Sequence, residues 1–169
     1  ALVECQAELR PVRYNREPQV YTGAACRGLS MANVTETFNK AYYQRYYFNP
    51  RTAVTTRAEM RNRAELIAAC LNYAGLPVRR ILDAGCGVGL LRSPLLRRLP
   101  RAQYLGLETS AYLCQRYGWR QGTLQSLRSR EHFDLVICYD VLQYLSVGEA
   151  RLAIANLARV CRGALYFGA

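Results

Sequence analysis

With 169 residues, 51% of them hydrophobic and 21% charged, the chain has the length and composition of one globular domain that buries a sizeable core. No run of 18 apolar residues occurs, and Ala1–Arg10 carries Glu4 and Glu8 instead of an apolar core, which argues against a transmembrane helix and a signal peptide. The net charge of +11, with 22 Arg among the 23 basic residues, leaves an anionic partner such as nucleic acid open beside the plainer reading of solvated helix faces.

Residues 1–30 show no clear periodicity and contain Pro11, Pro18, Gly23 and Gly28, so they read as a peripheral extension with a short strand pair around Val12 and Val20-Tyr21. Residues 31–78 read as an N-terminal helical cap. Within it Phe38, Tyr42 and Tyr46 recur every four residues, with Tyr43 and Tyr47 beside them, which predicts a short aromatic-faced helix ending near Asn49-Pro50. Its rings suit core packing, a lid over a site or, interleaved with Lys40, Arg45 and Arg51, RNA. Thr56-x-x-Glu59 is a capping box for a second helix, whose apolar positions Met60, Ala64, Ile67, Ala68 and Leu71 keep helical spacing until Gly75 and Pro77.

Residues 79–169 alternate strands and helices. The spacing predicts strands at Arg80–Ala84, Gln103–Glu108, Trp119–Leu124, Phe133–Cys138 and Ala164–Phe167. Between them it predicts helices from Gly89 to Leu99, from a Ser110 cap through Tyr117, and from a Ser146-x-x-Glu149 capping box to about Cys161, with Gly163 as the stop. This is an α/β chain with a doubly wound, mostly parallel sheet, and its ligand crevice belongs at the carboxyl ends of the strands, near strand one.

The first strand runs into Asp83-Ala84-Gly85-Cys86-Gly87-Val88-Gly89, and the second ends on Glu108. Glycines there let the backbone turn tightly and approach a ligand. A dinucleotide fingerprint needs G-x-G-x-x-G, yet its third glycine position is Leu90, and the Asp83 charge repels a pyrophosphate while suiting an ammonium. Glu108 can accept two hydrogen bonds from a ribose diol.

These residues resemble the first motif, D-x-G-x-G-x-G, of the class I S-adenosylmethionine (SAM)-dependent methyltransferases, and the resemblance covers about half the chain. It implies a Rossmann-like core with SAM as cofactor. It further implies that Asp83 serves the amine side, that the backbone of Ala84, Gly85 and Gly87 lines the cofactor beside Cys86, and that Glu108, followed by Thr109, binds the ribose hydroxyls. Phe133-Asp134-Leu135-Val136 through Leu145 resembles the family's fourth-strand motif, which places Tyr139 against the methionine portion and leaves Tyr139, Asp140 and Tyr144 as candidates for catalysis. Thr123 stands where many relatives carry an adenine-binding Asp, so adenine rests more on the Leu124 backbone N–H. The family usually continues past strand five with a helix and an antiparallel strand pair, which this sequence lacks.

The expected activity is methyl transfer to a small molecule. An RNA methyltransferase, a non-catalytic nucleotide-binding relative and a nicotinamide-linked oxidoreductase are the alternatives. Seven cysteines without a C-x-x-C pair and a single histidine, His132, point to reduced thiols, a cytoplasmic location and no metal. His132 precedes strand four and belongs at its amino end, away from the crevice. No membrane partner is expected, and the oligomeric state stays open.

Overall fold

The computed structural model describes residues 38–168, so the 1–30 extension and its expected strand pair lie outside the described residues. Strands β1 (Arg80–Ala84), β2 (Gln103–Glu108), β3 (Arg120–Gln121), β4 (Phe133–Tyr139) and β5 (Cys161–Gly168) form one parallel sheet in the order β3-β2-β1-β4-β5. The order reverses at β1, as expected for a doubly wound sheet, and this opens a crevice at the carboxyl ends of β1 and its neighbours.

Helices α1 (Lys40–Tyr43), α2 (Arg57–Tyr73), α3 (Arg92–Arg98), α4 (Ala111–Tyr117) and α5 (Val147–Val160) complete the fold. On one sheet face Met60, Ala64, Ile67 and Leu71 of α2 and Leu95 of α3 pack on Ile81, Leu135 and Ile137. On the other, Ala153, Leu157 and Val160 of α5 pack with Leu124 and Leu127 on Leu82, Leu107 and Val136. Alternate residues of β1 and β4 thus bury on opposite faces, which explains why both strands are almost wholly apolar. Both capping boxes form, Thr56 with Glu59 and Ser146 with Glu149, each side chain accepting from the other residue's backbone N–H. No helix among the described residues is long and apolar enough to cross a membrane.

The structure departs from the sequence reading at four places. The helix expected from Gly89 starts only at Arg92, because Gly89 has φ +73°, outside the right-handed helical region. The third strand shrinks to Arg120–Gln121. Ser110 occupies the N-cap of α4, yet its hydroxyl donates to the Phe38 carbonyl at 2.6 Å instead of capping. Gly163 does not stop α5: the helix ends at Val160, and Gly163 lies inside β5, where a Cβ would come within 2.3 Å of the Asp134 carbonyl oxygen. That close approach sits at the register shift between β4 and β5, so glycine there serves strand contact.

Gly163→Ala is therefore expected to destabilise the chain by about 1–3 kcal/mol, read from the midpoint of urea unfolding. An unchanged midpoint would remove the close-approach argument.

Candidate functional site

The turn after β1 is held by β2. Gly85 and Cys86 N–H both donate to the Leu107 carbonyl, at 2.8 and 3.2 Å. Gly85 and Gly87 have φ +86° and +52°, so the turn needs residues without a Cβ penalty. A Cβ on Gly85 would strike Val141, whereas the space beside Gly87 is open and a ligand can approach the backbone there.

Glu108, 6% exposed, closes the turn from β2. Its Oε2 accepts from Gly87 N–H at 2.9 Å, and its Oε1 accepts from the N–H groups of Thr109 and Ser110 at 2.8 and 3.0 Å and from the Thr109 hydroxyl at 3.2 Å. These donors offset the cost of taking a carboxylate out of water. Asp83, 3% exposed, is served quite differently. It accepts one side-chain hydrogen bond, from the Tyr104 phenol. Burial pushes its carboxyl up to about 7; the Tyr104 bond opposes that rise and the nearby Glu108 charge adds to it.

Trp119 braces the other side of the turn. Its indole N–H donates to the Gly87 carbonyl at 3.0 Å, and its ring fills the space that side chains on Gly89 and Gly106 would take. Cys86 is buried among these groups; desolvation, then the charges of Asp83 and Glu108, raise its thiol far above the ordinary range. It is a small filler and no thiolate nucleophile.

The aromatic segment packs against residues that follow β2 and β4. Tyr43, 4% exposed, has its phenol raised first by burial and then by Glu108. Tyr47, in the π-type turn Gln44–Phe48 that follows α1, is raised first by burial and then by Tyr144, Asp140 and Glu108. Phe38 meets Tyr144 edge to face at 5.3 Å, and Tyr43 stacks on Tyr112 at 6.4 Å. The segment thus bridges the ends of β2 and β4.

At the end of β4, Tyr139 accepts from Arg63 Nη2 at 2.6 Å and carries the guanidinium 3.5 Å from its ring centroid. Arg63 Nη1 donates to the Tyr166 hydroxyl at 2.9 Å, and its buried Nε has no partner among the described residues. Asp140 follows with φ +53° and its N–H on the Gly168 carbonyl at 2.9 Å. Partial desolvation raises its carboxyl, while hydrogen bonding to Tyr139 and the charge of Arg63 pull it back.

The residues singled out from the sequence fall into two groups. Asp83, Gly85, Cys86, Gly87, Glu108 and Thr109 converge on the turn, Ala84 is wholly buried beneath it, and Tyr139, Asp140 and Tyr144 line the far wall. The Thr123 hydroxyl pairs with that of Ser126 at 2.8 Å and accepts from Ser126 N–H at 3.1 Å. Leu124 points into the core, but its loop stays near the site: Gly122 N–H donates to the Glu108 carbonyl at 3.0 Å, and buried Asn156 donates to the Leu124 carbonyl at 2.9 Å. His132 is half-buried just ahead of β4, at the amino end of the sheet. Among the described residues no group of three or more His, Cys, Asp or Glu could hold a metal, and all five cysteines are free.

Sequence reasoning missed Tyr104, Trp119 and Arg63. Arg63 had a signal, since it lies three residues after Met60 and four before Ile67, on the buried side of α2. Tyr104 shares a strand face with Gly106 and Glu108, which alternation alone reveals.

Known proteins resemble this arrangement. The methyltransferase domain family matches residues 82–163. A ubiquinone biosynthesis O-methyltransferase from Alkalilimnicola ehrlichii is 33% identical over 96 residues, covering 49% of this chain and 37% of that protein. Its namesake from Hahella chejuensis is 32% identical over 104 residues, covering 53% and 41%. The chain thus spans less than half the length of these curated relatives. Among solved structures, SAM-bound magnesium protoporphyrin IX methyltransferase from Synechocystis PCC 6803 superposes with a TM-score of 0.59 at 26% identity, covering 83% of this chain and 76% of that one. SAM-bound CalS10, an amino pentose methyltransferase from Micromonospora echinaspora, gives 0.57 at 26%, covering 64% and 50%.

The raised Asp83 carboxyl has a sign that thermal melts can read. Its folded value of about 7 exceeds the ordinary carboxyl value of 3.8, so folding takes up a proton between them. Its contribution to stability is present at low pH, falls as pH rises towards 7 and is constant above. Asp83→Asn should gain on the wild type as pH rises from about 4 to about 7 and keep that advantage near about pH 8; a stability difference that does not change with pH would refute the buried-acid assignment.

Proposed function

We propose that this class I methyltransferase domain holds SAM at the carboxyl ends of β1 and β2 and transfers its methyl group to a small-molecule acceptor. The observation that carries the reading is the pair of buried acids, Asp83 and Glu108, flanking a glycine turn with open space at Gly87. No salt bridge reaches either acid among the described residues. Such a pair suits a ligand with an ammonium at one end and a ribose diol at the other. A pyrophosphate is disfavoured by the same charges, which counts against a nicotinamide-linked oxidoreductase.

In this reading Glu108 accepts from the ribose hydroxyls while its backbone donors hold it in place. Asp83 faces the ammonium, and Arg63 supplies the cation for the amino-acid carboxylate, its buried Nε being short of an acceptor. The loop at Thr123-Leu124 serves the adenine. When bound, the sulfonium supplies an activated methyl group and carries its own leaving group, so the protein contributes orientation and exclusion of water. Tyr43 and Tyr47 exclude water by covering the crevice. Tyr139, Asp140 and Tyr144 orient the acceptor, and the raised Asp140 carboxylate takes the proton where the acceptor must lose one.

A small acceptor is favoured over RNA because the aromatic segment packs on Tyr144 and Tyr112, beside the crevice, and so narrows the room for a large acceptor. A cytoplasmic location belongs to the same reading and is supported by the free thiols of the described residues.

Isothermal titration should show saturable SAM binding and no NAD binding; the reverse pattern would overturn the reading. Glu108→Ala should weaken SAM at least tenfold, or ~1.4 kcal/mol, while His132→Ala leaves it unchanged. Unaltered affinity in the Glu108 variant would remove the ribose assignment.

A further inference from the structure

We infer that capture of the cationic cofactor releases a proton from buried Asp83, and that Tyr104 is a positioning residue whose hydrogen bond to Asp83 eases that release. The inference rests on the reading of the crevice as a SAM site. Its basis is the unequal treatment of two acids at one strand end. Glu108 is surrounded by three backbone N–H groups and a hydroxyl, whereas Asp83, the more deeply buried, has among the described residues the Tyr104 phenol alone.

Register explains how the pair arises. Asp83 lies opposite Gly106 in the β1–β2 ladder, and Tyr104 is two residues before Gly106 on the same face. A glycine at 106 leaves Asp83 and Tyr104 free to meet, with Cys86 and Trp119 filling the rest of that space. A phenol can donate to a carboxylate or accept from a carboxylic acid, so the contact survives in both charge states. Its donation favours the charged one.

The groups around Asp83 otherwise favour the neutral acid. From β2 it faces Tyr104 and the Glu108 charge, from the turn Cys86, and from β4 Cys138, whose thiol burial and Asp83 push up to about 12. Tyr43 of α1 adds a neutral phenol beside Glu108 and Cys86. Arg92 places a positive charge near Tyr104. An incoming ammonium reverses the balance. Asp83 then gives its proton to solvent and becomes the carboxylate partner of the ligand's ammonium, which keeps its own three protons. The charge gained on Asp83 balances the proton released, and no bond to carbon changes.

The test is titration of the whole chain with SAM from about pH 6 to about pH 8.5, in buffers of low and high ionisation enthalpy. Near pH 6 the wild type should release up to one proton, seen as a buffer-dependent heat. Tyr104→Phe should bind about tenfold more weakly than wild type near pH 6, with the gap narrowing to within about twofold near pH 8.5. The ratio cancels titration of the ligand's own α-ammonium. Asp83→Asn should bind more weakly at every pH without proton release, and Glu108→Ala should weaken binding and move the release profile to lower pH, because the Glu108 charge that helps keep Asp83 protonated is gone.

SAM binding by the wild type with no buffer-dependent heat overturns the linkage while leaving the cofactor reading intact, and this readout needs no variant to fold. A Tyr104→Phe loss that is equal at all pH values overturns the role given to Tyr104. Absence of SAM binding by the folded wild type at any pH overturns the cofactor reading and the linkage together.

Discussion

Removing two carboxyl groups from water at one end of a parallel sheet is the constraint around which the rest of the molecule is arranged. A carboxylate in that position needs several donors or an opposing charge. The backbone satisfies Glu108, because the glycine turn presents the Gly87 N–H and the start of α4 presents those of Thr109 and Ser110. The same turn cannot also serve Asp83, which lies one strand away behind it. In the proposed reading a cationic ligand removes that deficit, a common trade of stability for function.

The turn is shaped as much by its neighbours as by its glycines. Val141 presses on Gly85, and Trp119 presses on Gly89 and Gly106 while holding the Gly87 carbonyl. Gly87 alone among these positions opens onto free space. In the proposed reading aromatic rings cover what remains, Tyr43 feeling the Glu108 charge and Tyr47 that of Asp140. Rigid two-torsion side chains suit this task, since covering a polar crevice with them costs little side-chain entropy.

The excess of arginine resolves into separate physical roles. Arg63 is drawn into the wall of the crevice by Tyr139 and Tyr166. Arg98 pairs with Glu65 at 2.9 Å and Arg80 with Glu131 at 3.0 Å, both on the surface, where such pairs contribute little. Arg92 lies over the Trp119 ring, and Arg159 donates to the Leu127 carbonyl at 3.0 Å, tying α5 to the loop after β3. Net charge alone therefore says less about partners than the position of one guanidinium does.

The sequence by itself determined the periodic and local features: the buried strands β1, β2 and β4, both capping boxes, the glycine turn and the acid that ends β2. Each is encoded in residues within about one helical turn or strand of each other, so composition and spacing suffice. Tertiary structure alone decided which side chains meet across the register. It brought Tyr104 to Asp83, Trp119 to the Gly87 carbonyl and Arg63 to Tyr139, pairs separated by 21, 32 and 76 positions. It also turned Gly163 from a helix stop into a strand contact and gave the Ser110 hydroxyl to Phe38. Such contacts depend on strand order and on which residues lack side chains at the facing position, and neither is written in any short stretch of chain.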